Sequence, residues 1–232
     1  MPLDINMDEE QSHLLRLLTW LSPAFPIGSF SYSHGLETRI SEGHCADRQS
    51  VQDWIEALLL YGGGWTDAVL LAVSWQVDPD DVEAFLTLND LALALAPSKE
   101  RYEETRAQGS AFLEASRAWP VALHHSLDRI QCRNVALPVI LGSLARHHGI
   151  GKKEVLTGAL HAFSANLTSV AMRLVPLGQS DGLALQAALE GTILKVVNLA
   201  VGSSAQDLGG CAFYSDIAAM RHETLSTRIF RS

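Results

Sequence analysis

The sequence predicts a single all-α domain of about nine or ten helices. Three observations carry that expectation. Apolar residues recur at spacings of three and four along most of the chain, the period of one helix face. Strand signals are scarce: no long alternating run occurs, and no Asn-Gly or Asp-Gly turn separates two such runs. No internal repeat or low-complexity linker divides the 232 residues, a length one core can still organise.

Residues 1–8 read as a loose end. The first predicted helix covers 8–20, with Leu14, Leu17, Leu18 and Leu21 at helical spacing. Pro23 and Pro26 then break the pattern, and a helix restarts near Ser33 or His34 with Glu37 close to its positive end. Residues 51–61 place Val51, Ile55, Leu58 and Leu59 on one face. Gly62, Gly63 and Gly64 interrupt or kink the helix, which resumes over 66–77. Asp78-Pro79 is expected to open the next helix, as capping carboxylate and first-turn proline. It should run to about Leu95, before Ala96-Pro97.

Ser98 caps a long helix to about Trp119. Tyr102, Gly109, Phe112, Ser116 and Trp119 share a stripe, and Gly109 within it predicts close approach of a neighbouring helix. Pro120 ends it. Pro138 begins a helix that stops at His148-Gly149. Residues 152–175 are the clearest element: Leu156, Leu160, Phe163, Leu167, Val170 and Leu174 repeat at fours and threes, and another face carries Asn166, Ser169 and Arg173. Asp181 is expected to cap a helix to about Gly202, with Leu185, Leu189, Ile193 and Val196 inward. A loop at Gly209-Gly210 leads to a last helix from about Asp216. Parts of 203–232 are expected to be flexible when unbound.

Composition excludes some functions. Lys and Arg total 17 against 26 Asp and Glu, a formal charge of −9. Without a clustered basic run, nucleic acid is not an expected partner. Cys45, Cys132 and Cys211 are far apart and odd in number, which fits reduced thiols in a cytoplasmic protein. No charged segment followed by an apolar run opens the sequence, so no secretory signal is expected. The longest apolar stretches are interrupted by Asp67, Gly142 or Lys195. None is expected to reach the roughly 18–20 residues of a membrane span.

Several catalytic patterns come close and fail. His222-Glu223 begins a zinc-protease motif, but Ser226 stands where the second ligand belongs. Gly151-Lys152-Lys153 resembles the end of a phosphate loop, yet Arg146 replaces its first glycine and Lys153 its hydroxyl residue. Gly28 to Tyr32 lacks the second glycine of a nucleophile elbow. Imidazole suits nickel, but the adjacent pairs His124-His125 and His147-His148 point about 100° apart on a helix and make no ready chelate. His44-Cys45 has nothing nearby to complete a ligand set. No metal site is therefore expected.

Residues 21–37 fit neither helix nor strand periodicity. Pro23 and Pro26 stiffen the segment, Gly28 and Gly35 allow unusual backbone angles, and Ser29, Ser31 and Ser33 alternate with Phe30 and Tyr32. Two readings fit: a linker whose aromatics tuck into the core, or a surface that another molecule reads. The chain's end poses a similar choice. Arg221, Arg228 and Arg231 beside Glu223 form either a solvated terminal helix or a partner-binding tail that pairs with carboxylates. Arg173, near a helix end, either complements the helix dipole or contacts a partner.

Three stretches resemble the urease accessory protein UreF family. Ser22-Pro23, Pro26-Ile27-Gly28 and Phe30-Ser31-Tyr32-Ser33-His34-Gly35-Leu36-Glu37 match its opening signature. Arg173-Leu174-Val175-Pro176-Leu177-Gly178-Gln179 matches a middle motif, and Arg221-His222-Glu223-Thr224 with Arg228-Ile229-Phe230-Arg231-Ser232 matches its close. The matches occur in the family's order, in a chain of roughly the family's length. The resemblance implies an all-helical fold and a non-enzymatic adaptor role. Such proteins join UreD (also called UreH) and the GTPase UreG on apo-urease and couple GTP hydrolysis to nickel insertion. By this resemblance the chain dimerises, binds no cofactor stably, handles nickel only within the complex and leaves GTP to its partner. Pro26, Gly28, Ser29, Tyr32, Ser33, His34, Gly35 and Glu37 would shape a partner-facing surface. Arg173 would contact UreG, and Arg221, His222, Glu223, Arg228, Phe230 and Arg231 would order against UreD. Ser226 departs from the aromatic usual there. Two other classes compete: a metal-dependent hydrolase built on the histidines, and a structural dimer unrelated to urease.

Overall fold

A computed structural model describes residues 5–232, with side-chain environments from Glu9 onward. Its elements are α1 (Ile5–Trp20), α2 (Leu36–Ser41), α3 (Arg48–Tyr61), α4 (Gly63–Gln76), α5 (Val82–Ala94), α6 (Lys99–Ala115), α7 (Ala122–Arg129), α8 (Leu137–His147), α9 (Lys152–Leu174), α10 (Gln179–Ala200) and α11 (Phe213–His222). Single 3-10 turns occur at Ser29–Ser31, Ser116–Ala118 and Ala205–Asp207. The described residues contain no strand. The fold is all-α, and α3 and α4 meet at Gly62 closely enough to form one 29-residue span, which leaves ten helices. Residues 1–4 of the expected loose end lie outside the described residues; 5–8 belong to α1.

The centre of the molecule is α8. Pro138 through Ala145 are all buried, as expected of a helix apolar on every side. It crosses α4 at Gly142, where a Cβ would lie 2.5 Å from the Leu71 carbonyl oxygen and 3.2 Å from the Ser74 Cβ. Ser74 Oγ donates to the Val139 carbonyl at 2.6 Å, which satisfies that hydroxyl at the crossing. Around this pair α9 and α10 pack antiparallel, with Leu185, Leu189, Ile193 and Val196 of α10 inward as their spacing requires. At one end Trp20 meets Phe112 edge-on at 5.4 Å, and Phe25 meets the same ring at 5.3 Å.

Four local expectations need correction. The cap of α5 is Asp81, whose Oδ1 accepts the Ala84 N–H at 2.9 Å. Asp78 instead closes a turn by accepting from Asp80 N–H. Gly178 caps α10, and Asp181 reaches back to the Gly178 N–H at 3.1 Å. Tyr102 is exposed, whereas Glu104 and Gln108 are buried on α6. Gly109 does accept a close neighbour, but that neighbour is the extended lead-in to α8: a Cβ there would lie 2.7 Å from Leu137 N.

Apolar length also exceeds the sequence expectation. Residues Arg48–Gln76, Lys152–Leu174 and Gln179–Ala200 are long and apolar enough to cross a membrane by length and composition. Counting across isolated charges such as Asp67 and Lys195 explains the difference. In the first span 56% of the most apolar window is buried inside the fold, which accounts for its composition.

Candidate functional site

The segment before α2 makes two left-handed steps in succession. His34 has φ 52° and Gly35 φ 76°. A glycine is needed at 35 twice over: for its backbone angle, and because a Cβ would lie 2.9 Å from Ala218 Cβ on α11. The turn brings Ser33, His34 and Glu37 to one side and seats α11 against α2.

The chain's last residues fill the cleft this creates. Arg231 N–H donates to the Ser31 carbonyl at 2.7 Å. Ser33 N–H donates to the Ser232 carbonyl at 2.8 Å, and Ser33 Oγ also donates to it. Glu37 is the fastening. Its Oε1 accepts the Ile229 N–H at 2.7 Å, and its Oε2 accepts the Phe230 N–H at 2.9 Å. The same Oε2 lies 3.0 Å from His222 Nε2, while His222 Nδ1 lies 2.7 Å from Glu100 Oε2. Both ring nitrogens of His222 thus face carboxylate oxygens. Arg228 then pairs with Glu100 Oε1 at 2.6 Å. Buried carboxylates are tolerated because nearly every lone pair has a donor.

A second polar centre adjoins the first. Ser232 Oγ donates to Glu104 Oε2 at 3.0 Å. Glu104 pairs directly with Arg101, and its Oε1 lies 3.1 Å from His34 Nε2, which is also 3.3 Å from the Arg101 guanidinium. Burial would raise the Glu104 carboxyl, but the Arg101 guanidinium and His34 outweigh it and hold it at about 2. Burial, then the charge of Arg101, lowers the His34 imidazole, which favours its neutral form. Asp67 lies 3.9 Å from Arg101. Burial at the cleft pushes its carboxyl up to about 6 against the pull of Arg101, although 37% of its side-chain surface still faces the cleft's open space. Two cavities, of about 130 and 250 Å³, flank this centre, and His34, Asp67 and Thr105 line both.

The structure thus joins the two termini of the sequence argument. Tyr32, Ser33, His34, Gly35 and Glu37 are buried, as are His222 and Phe230. Gly28 and Ser29 are half-buried, and Pro26 is exposed. Arg221, Glu223, Arg228 and Arg231 are exposed around the docked tail. Arg221 reaches Glu42 at 3.0 Å, and Glu223 accepts the Lys99 N–H at the start of α6. Arg173 is exposed, with its guanidinium 5.9 Å from the Phe230 ring. That contact places all three motifs in one region.

Sequence reading missed Asp67, Glu100, Arg101, Glu104 and Ser232. The signal was available on α6, where Arg101, Glu104 and Gln108 fall at i, i+3 and i+7. The histidine pairs do other work. His124 Nδ1 accepts the Val121 N–H at 3.2 Å and closes the start of α7. Burial, then Arg16, pushes His148 down to about 4. Among the described residues, no group of three His, Cys, Asp or Glu is placed to hold a metal ion.

Fold and site together define an all-helical protein that fastens its own C-terminal segment with buried charge, beneath an exposed basic rim. The family model for UreF matches residues 45–190. A urease accessory protein UreF from Rhizobium leguminosarum bv. trifolii is 45% identical over 227 residues, covering 97% of this chain and 99% of that protein. The Mesorhizobium japonicum protein of the same name is 46% identical over 224 residues, covering 94% and 96%. A Brucella canis protein named urease accessory protein UreF 1 is 45% identical over 219 residues, 94% of each. The chain belongs to the UreF family of urease accessory proteins.

Proposed function

We propose that the chain is a cytoplasmic adaptor, itself not an enzyme, that bridges a UreD-type protein and the GTPase UreG on apo-urease. Nickel is cargo of that complex, GTP is bound by UreG, and the chain works as a homodimer. The supporting observation is the exposed guanidinium rim on a protein of net charge −9: Arg221, Arg228 and Arg231 surround the docked tail, with Arg173 beside it through Phe230. Arginine forks suit carboxylates of a partner.

In this reading the predicted residues divide by burial. Tyr32, Ser33, His34, Gly35, Glu37, His222 and Phe230 hold the platform. Pro26, Gly28 and Ser29 border it. Arg221, Glu223, Arg228 and Arg231 meet the UreD-type protein, and Arg173 meets UreG. The test is urease activity and urease-bound nickel in cells carrying the full urease gene set but lacking this chain. Inactive, nickel-poor urease that recovers on adding the chain back is expected. Active, nickel-loaded urease in its absence overturns the proposal.

A further inference from the structure

The larger of the two cavities beside His34, about 250 Å³, is bordered by the exposed residues Pro97, Gly209 and Gly210. An apolar cavity of about 150 Å³ is enough to hold benzene, so this one has room for a small organic molecule. Leu58, Leu70, Ala92 and Leu95 give it an apolar wall. Gly63 leaves another side open: a Cβ there would stand 3.5 Å from Arg101 Nη2 and 3.9 Å from His34 Nδ1. A longer side chain at 63 would project into the space. The rim is pinned by two long-range hydrogen bonds. Trp65 Nε1 donates to the Asp207 carbonyl at 3.1 Å, and the Cys211 N–H donates to the Tyr61 carbonyl at 2.9 Å.

The charges in this cavity indicate what it would take. Two carboxylates line it, Asp67 on α4 and Asp216 on α11. Arg101, the cation beside them, is committed elsewhere. Its Nη1 pairs with Glu104 and lies 3.3 Å from His34 Nε2, while its Nη2 is 3.9 Å from Asp67. Asp216 forms no ion pair among the described residues. Burial raises both carboxyls against the pull of Arg101, Asp67 to about 6. Since Glu104 balances Arg101, ionised Asp67 and Asp216 leave the cavity with an excess of negative charge. Carboxylates in such a place favour a cation that replaces their lost water. A metal ion fits less well, because among the described residues no three His, Cys, Asp or Glu are placed to hold one. An organic ammonium suits both features: three N–H donors for the carboxylates and an apolar body for the leucine wall.

We propose that this cavity binds a small primary ammonium ion with an apolar body. Its nitrogen sits between Asp67 and Asp216, and its body lies against Leu58, Leu70 and Leu95. Such a ligand is a different species from the nickel cargo, and nothing in this assignment draws on the adaptor role.

Titration calorimetry on the purified full chain tests it, with benzylammonium chloride as the probe and the pH well above 6 so that Asp67 is ionised. Saturable binding at one site per chain is expected. Benzyl alcohol has the shape without the charge, and benzoate has the opposite charge. Each should bind more weakly by roughly tenfold or more. Asp67→Asn and Asp216→Asn should each weaken benzylammonium binding by roughly tenfold or more, with an unchanged helical spectrum. Asp67→Asn relieves a buried charge and should fold more stably at this pH, so unfolding cannot explain its weaker binding. Gly63→Leu keeps both carboxylates but fills the space, and should abolish binding. In spectra of labelled protein, the Gly62, Gly209 and Gly210 amides should shift on titration while those of α7 stay fixed. No saturable binding, equal affinity for benzyl alcohol, or undiminished binding in the aspartate variants or in Gly63→Leu would overturn the proposal. These readings need no urease, so they fail or succeed separately from the adaptor role.

Discussion

The crossing of α4 and α8 and the docking of the tail on α2 both join distant parts of the chain, but by opposite means. At the crossing, Leu70, Leu71, Val139, Ile140 and Leu144 are buried, and stability comes from area at about 25 cal/mol per Å². At the tail, Glu37, Glu104 and His222 are buried instead, and stability depends on each charged group keeping its partners. Loss of area is felt across the whole core, whereas loss of one charged partner is felt at the group it strands.

The contrast can be broken first on its apolar side. Leu144→Ala should lower unfolding free energy by about 2–5 kcal/mol, read as an earlier urea midpoint across the whole molecule. Glu37→Gln should cost less globally, about 1–3 kcal/mol, and the loss should be local. Hydrogen exchange at the Ile229 and Phe230 amides should quicken while α8 amides stay protected. Uniform quickening would show that the tail is not a separable unit.

A pH comparison sharpens the polar side. The Asp67 carboxyl lies near 6 in the fold against an ordinary 3.8. The folded chain therefore holds more protons between those values, and stability falls as pH rises from about 4 to about 6. Asp67→Asn should be more stable than wild type above pH 6 and equal to it near pH 4, by urea midpoints. Glu104 has the opposite sign: held near 2, it contributes fully above its ordinary 4.5 and loses that contribution as pH falls through about 2. The smallest stability effect should be that of Arg228→Ala, whose pair with Glu100 is 45% exposed on the Arg228 side. At most about 1 kcal/mol is expected, with a larger loss in capture of a UreD-type partner.

The same contrast explains what was legible in the sequence. Apolar periodicity marked α9 and α10, and Pro138 marked the start of α8, because core helices display their inward face as a repeat. Ser98 was legible as a cap because its side chain does local work, accepting the Arg101 N–H at 3.2 Å. The burial of Glu104 was hidden, since a charged residue reads as solvent-facing until its partners are known. Those partners, Arg101, His34 and Ser232, meet it only through the tertiary fold. The junction itself was visible only as motifs, with Glu37 and Phe230 separated by most of the chain.

The central claim is that the tail, fastened by Glu37, forms the platform on which urease maturation depends. The most direct measurement is urease-bound nickel and activity in cells lacking the chain, restored with wild type or Glu37→Gln at equal protein levels. Wild type should restore both, and Glu37→Gln should restore little while remaining folded at α8. Full restoration by Glu37→Gln, with its Ile229 and Phe230 amides exchanging freely, would contradict the account.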